Sequence, residues 1–351
     1  MVSFSERLIE LNNWSPPIHW LQITAIDAHT GGEPLRIITG GLPTIHGHTI
    51  LEKRAYLKEN LDYLRKALMW EPRGHADMYG CIITEPVTEN ADFGVIFLHN
   101  EGYSSMCGHG IIAVTKVAIE TGFIQVVEPI TTVKIDAPAG LITAYAYINN
   151  GRVLSVKFEN VPSFVLLKNQ TVFIKDLGEV PFDVVYGGAF YAYIDADKLG
   201  IRMTTADYRM LIDKGMSIKN AVMEKFDITH PFESDLSFLY GTIFYGKGHS
   251  EDTDSRNVCI FADGEVDRSP TGTGVSGRVV LHHARGELVV GQPMVIESIV
   301  GSKFVASVKS TTTFGPHDAV IPEVEGNAHI CGKSTFLLDP DDELGKGFFL
   351  R

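Results

Sequence analysis

The sequence predicts a mixed α/β (α+β) fold of two pseudosymmetric domains, each a mostly antiparallel sheet around a buried helix, with the functional site in the cleft between them. Three observations predict it. Short apolar runs of strand length alternate with Gly, Pro and Asn turn signals along the 351 residues. Two Gly-rich turns, Met106-Cys107-Gly108-His109-Gly110 and Pro270-Thr271-Gly272-Thr273-Gly274, each lead from a strand into a run of small residues. The two turns stand 164 residues apart, and the features around them keep that offset.

Taken in order, residues 21–28 read as a strand and His29 to Pro34 as a turn, in which Gly31 and Gly32 permit positive φ; a second strand follows at 35–38. Residues 51–70 have helical periodicity and stop before Pro72. Runs at 81–83 and 93–98 have strand length, and the second leads into the Cys107 turn. From 108 to 120 small or β-branched residues occupy nearly every face, as a helix enclosed by protein requires, and Gly122 caps it. Residues 132–137 and 141–148 form a hairpin. The turn Asn149-Asn150-Gly151 marks the expected boundary between a first domain, 1–150, and a second, 151–336. In the second half, strands are expected at 153–158, 163–167, within 183–194 and at 258–262, with an exposed helix over 204–225.

At the 164-residue offset Phe97 falls on Phe261, Ser105 on Ser269, Cys107 on Thr271, Gly108 on Gly272, Gly110 on Gly274, Gly122 on Gly286 and Pro129 on Pro293. The hairpin that follows matches with a small shift. Two helix starts brought to one cleft offer unpaired N–H groups and positive dipole ends, a socket for a small carboxylate.

The net charge of −13 argues against nucleic acid and anionic membrane as partners, since both require a basic face. The residues from Met1 to Trp20 lack the long apolar region of a signal peptide, and no run reaches transmembrane length. Four cysteines, at 81, 107, 259 and 331, form no CxxC pair, which suits a reducing cytoplasm.

Cys107, at a helix start, is placed where the dipole lowers a thiol pKa. Cys81, Cys259 and Cys331 read instead as small buried hydrophobes. A Cys/His nucleophile with His109 or His75 as base is disfavoured, because Cys107 and His109, two residues apart, are expected to point in different directions. The GxGxxG match from Gly272 to Gly277 lies in the wrong order of elements for a dinucleotide site. Scattered histidines make a weak metal case, and no cofactor is expected. Asp267 either accepts a hydrogen bond from a substrate ammonium or pairs with Arg268 on the surface.

At these residues the chain resembles the proline racemase family, and within it the branch that dehydrates trans-3-hydroxy-L-proline. The resemblance rests on 27–34, Glu71-Pro72-Arg73-Gly74-His75, Met106 to Gly110, Tyr186-Gly187-Gly188 and Asp267 to Gly274, and reaches the C-terminal segment 339–349. It implies a diaminopimelate-epimerase-like pair of β-barrels, each around a central helix, with a C-terminal strand at 337–351 returning to the first domain. It also implies that family racemases and epimerases use two cysteines on opposite faces of the substrate; here Thr271 holds the second position. That pairing implies a cofactor-independent hydro-lyase forming Δ1-pyrroline-2-carboxylate, with proline or hydroxyproline racemisation or epimerisation as the alternative. Cys107 would act on the Cα proton and the 3-hydroxyl from one face, and Thr271 would shape the other. Gly108, His109, Gly272 and Thr273 would hold the carboxylate through their amides, and Asp267 the ring ammonium. The partner is then a small amino acid, and the expected assembly a homodimer.

Overall fold

The computed structural model describes residues 3–350. After α1 (Phe4–Asn12), the first half contains β1 (Leu21–Thr30), β2 (Glu33–Gly40), α2 (Ile50–Asn60), α3 (Asp62–Met69), β3 (Tyr79–Thr84) and β4 (Phe93–His99). It continues with α4 (Gly108–Glu120), β5 (Ile130–Ala137), β6 (Gly140–Asn149) and β7 (Arg152–Glu159). The second half begins with β8 (Ser163–Ile174), β9 (Gly178–Tyr186), β10 (Phe190–Asp195), α5 (Tyr208–Lys225), β11 (Leu239–Gly246) and β12 (Ser255–Phe261). Then come β13 (Glu265–Val266), α6 (Gly272–Ala284), β14 (Met294–Glu297), β15 (Lys303–Phe314), β16 (His317–Gly326) and β17 (Ala328–Leu338).

Strand pairing makes the repeat physical. In the second half, β8, β9, β10, β11, β12, β14, β15 and β16 pair in turn until β16 meets β8, closing a barrel around α6. In the first half the ladder runs β17, β1, β2, β3, β4, β5, β6, β7 around α4, and β7 joins β16. Parallel pairs recur at matching places: β2 with β3 and β10 with β11, then β4 with β5 and β12 with β14. Each parallel pair needs a long crossover, supplied by α2 and α3, α5, α4 and α6 respectively. The fold class read from the sequence is therefore the one observed.

α4 and α6 both begin where the 164-residue offset places them, and their first ten residues are all buried. A helix apolar on every face is stable only when enclosed. Burying Ile111, Ile112 and Val114 contributes about 1.5–3 kcal/mol each. Gly122 and Gly286 follow these helices with φ of 78° and 74°, the left-handed geometry of a helix C-terminus.

Several expectations change. The single helix expected over 51–70 is broken at Leu61, after which α3 turns Leu64, Leu68 and Met69 into the core. The Asn149-Asn150-Gly151 turn is a tight hairpin, with Asn149 paired to Arg152. The strand lying on β1 is Ala328–Leu338, upstream of the expected 337–351. Asp339-Pro340 ends that ladder, and the tail folds onto the 71–75 loop. There Phe348 N–H donates to Glu71 O at 2.9 Å and Arg73 donates to the carbonyls of Leu337 and Gly345. Cys81 and Cys259 are buried, as read, but Cys331 is exposed, at the bulge where the β1–β17 register skips from Gly332 to Ile330. No helix among the described residues is long and apolar enough to cross a membrane.

Candidate active site

The first turns of α4 and α6 abut. Built onto Gly108, a Cβ would lie 2.5 Å from the Gly272 Cα, so only glycine backbones fit there. In the first turn of a helix the amides have no intrahelical acceptor. Those of Gly108, His109, Gly272 and Thr273 thus gather at one point, where two dipole ends favour an anion.

Beside them lies a small cavity of about 20 Å³. Cys107, Gly108, His109, Asp267, Thr271, Gly272 and Thr273 all line it, together with Tyr79, Met106, Tyr191, Tyr240 and Phe261. The structure therefore brings every residue singled out from the sequence to one place. The tyrosines were not singled out; each sits in an apolar run and reads as core, and only the sheet's path shows where its hydroxyl ends.

Cys107 is the N-cap of α4, with extended backbone (φ −145°, ψ 105°), and its sulfur accepts from Gly110 N–H at 3.2 Å. A cap residue folds its side chain back over the first turn. That brings Sγ to 3.2 Å from His109 Nδ1, contrary to the expectation that the two diverge. His109 Nε2 lies 3.3 Å from the Pro34 carbonyl, which can only accept. Nε2, itself 3.6 Å from Sγ, therefore carries the hydrogen, and Nδ1 is the unprotonated nitrogen nearer the sulfur.

Burial pushes the Cys107 thiol well above its ordinary value, with the Gly110 amide pulling the other way. Burial also lowers the His109 imidazole. The free site is a neutral thiol hydrogen-bonded to a neutral base, rather than the thiolate that a helix start alone suggests. Desolvation outweighs the dipole here because Cys107 is only 4% exposed.

Thr271 occupies the equivalent cap of α6 but does not mirror Cys107. Its φ of 68° is rare for a β-branched residue, and its buried side chain makes no capping bond. The serines upstream do not cap either: Ser105 donates to Gly188 O at 2.7 Å, and Ser269 Oγ accepts from Thr271 N–H at 3.1 Å.

The two readings of Asp267 separate cleanly. Arg268 turns away to Glu33 and Asp77, each at 3.5 Å, while Asp267 makes no ion pair among the described residues and accepts only from Ser269 N–H, at 2.7 Å. Its carboxylate is buried at the cavity wall.

Comparison with known proteins agrees with this arrangement. The family described as proline racemase matches residues 25–349. This chain belongs to the proline racemase family. A protein of Colwellia psychrerythraea named trans-3-hydroxy-L-proline dehydratase is 49% identical over 352 residues, covering 99% of both chains. A Burkholderia multivorans protein named 3-hydroxyproline 2-epimerase is 47% identical, covering 94% of this chain and 98% of its own. Among solved structures, a hydroxyproline epimerase from Agrobacterium vitis with bound trans-4-hydroxy-L-proline superposes with a TM-score of 0.90 at 32% identity. That match covers 95% of this chain and 96% of the other.

Proposed function

We propose that this member of the family is a cytoplasmic dehydratase that converts trans-3-hydroxy-L-proline to Δ1-pyrroline-2-carboxylate. One observation carries the reading: the cavity has a thiol–imidazole pair at the cap of α4 and a threonine at the cap of α6. Epimerisation needs an acid or base on each face of the ring, and a threonine hydroxyl is neither at neutral pH. The Colwellia relative's name supports the same choice.

The chemistry follows from stereochemistry. In trans-3-hydroxy-L-proline the Cα hydrogen and the 3-hydroxyl lie on one face. His109 Nδ1 takes the Cys107 proton as substrate binds, and the thiolate removes the Cα proton. The electron pair left on Cα forms the double bond to C3 as the C3–O bond breaks, and the new thiol gives its proton to the departing oxygen as water leaves. The thiolate then recovers its first proton from His109, so the site returns to its starting state. The amides of Gly108, His109, Gly272 and Thr273 hold the carboxylate as it gains enolate character. Asp267 holds the ring ammonium. The enamine released tautomerises to the imine.

Product analysis in D2O tests the reading. Loss of water with formation of Δ1-pyrroline-2-carboxylate is expected; Cα inversion with the hydroxyl retained would assign the epimerase reaction instead.

A further inference from the structure

The reaction above needs something that binds the hydroxyl itself, and neither the helix-start amides nor Asp267 does so. Three phenols line the cavity: Tyr79, Tyr191 and Tyr240. Tyr191 is committed to Thr273, its hydroxyl 2.8 Å from Oγ1 at the start of α6. Tyr79 comes from β3 and lies beside the thiol–imidazole pair, its ring 4.9 Å from that of His109. Its hydroxyl is hydrogen-bonded to Ser104 Oγ, and the Ser104 side chain has no other hydrogen bond among the described residues. Tyr240 reaches the cavity from β11, and its buried hydroxyl neighbours that of Tyr79.

We propose that Tyr79, oriented by Ser104, and the neighbouring Tyr240, which line the cavity beside Cys107, form the subsite for the substrate's 3-hydroxyl, and that this subsite selects 3-hydroxylated over unsubstituted proline. The inference rests on the dehydratase reading. A hydroxyl group both accepts and donates, and two phenols provide for both. With Ser104 donating to the Tyr79 oxygen, the Tyr79 proton is free to point at the leaving oxygen, while the substrate O–H donates to Tyr240. The bond from Tyr79 strengthens as the C3–O bond breaks and negative charge grows on that oxygen. No proton leaves Tyr79 in this scheme. Burial pushes its phenol well above the ordinary value, so it stays a donor throughout the working pH range.

Tyr79→Phe removes the donor and keeps the ring packed on His109. Its kcat/KM for trans-3-hydroxy-L-proline is expected to fall by roughly 100-fold, mostly in kcat, because a site built to hold a hydroxyl depends on that bond. Its affinity for pyrrole-2-carboxylate, which has no hydroxyl, is expected to stay at the wild-type value. Ser104→Ala, which leaves the phenol but not its partner, is expected to lose activity in the same direction by less, and Tyr240→Phe to raise KM for the hydroxylated substrate alone. Wild-type kcat/KM in Tyr79→Phe would overturn the subsite, as would matched losses of activity and pyrrole-2-carboxylate affinity in the variants, which mark a structural role. A wild-type enzyme that releases no water from trans-3-hydroxy-L-proline would instead overturn the dehydratase reading.

Discussion

Gly108 and Gly272 meet backbone to backbone: a Cβ on either would lie 2.5 Å from the other's Cα. This contact aims two sets of first-turn amides at one point, the carboxylate socket of the proposed reaction, and it tolerates no side chain. Gly108→Ala or Gly272→Ala must push the helices apart. The expected cost is about 1–3 kcal/mol of stability and a fall of about 100-fold in kcat/KM through misplacement of the amides. Thermal melts and steady-state kinetics on the same preparations check both, and full activity in either variant would refute the shared-socket geometry.

The cap residues set the reaction. Cys107→Ser is expected to lower kcat by roughly 1,000-fold or more while leaving the fold unchanged, since a hydroxyl cannot exchange protons as the thiol does. Thr271→Cys places a thiol on the opposite face and is expected to add measurable Cα inversion. Chiral analysis of recovered substrate detects it; inversion in the wild type at the same level would show that the threonine is not the deciding residue.

The pH profile of kcat/KM reports the free enzyme. Because burial raises the Cys107 thiol, its thiolate fraction is still growing above the ordinary thiol pKa of about 8.5. The rate of Cys107 alkylation by iodoacetamide should therefore climb through that pH, whereas kcat/KM, which starts from the neutral thiol–imidazole pair, should hold a plateau there. Because burial lowers His109, the imidazole stays a neutral acceptor below its usual value of about 6.5, and the acid limb should fall below that pH. An alkylation rate already flat at neutrality would contradict the neutral thiol.

Glu33 is fully buried, and its carboxyl is raised well above the ordinary range by burial, then by the nearby Asp267. A carboxyl whose folded pKa exceeds its unfolded pKa favours the fold below the unfolded value and loses that contribution as pH rises through the folded one. Glu33→Gln keeps an acceptor for the Arg268 amide, 2.8 Å from Glu33 Oε2, and removes the titration. Its melting temperature relative to wild type is therefore expected to rise as pH increases across the window above the ordinary carboxyl range. Melts at acid and neutral pH check the sign.

Much of the site was legible because it is local. A glycine-rich turn opening an enclosed helix is a pattern of adjacent residues, and its second copy could be laid over the first without knowing the fold. Side-chain partners were less legible. The meeting of Cys107 and His109 depends on the cap's extended backbone, and the break at Leu61 on which face α3 must bury. Arg268 is adjacent to Asp267 in the chain, yet it pairs with Glu33 and Asp77, which the first half delivers from far away in sequence.

The sequence by itself determined the repeat, the two helix starts and the substitution of threonine for cysteine in the second, since each is a matter of residue type and spacing. Only the tertiary structure decided which base serves the thiol, that the thiol is desolvated, and which phenols face it. Those depend on β3, β10 and β11 carrying Tyr79, Tyr191 and Tyr240 to one cavity. Burial and long-range contact arise only when the barrels close, so no local pattern encodes them.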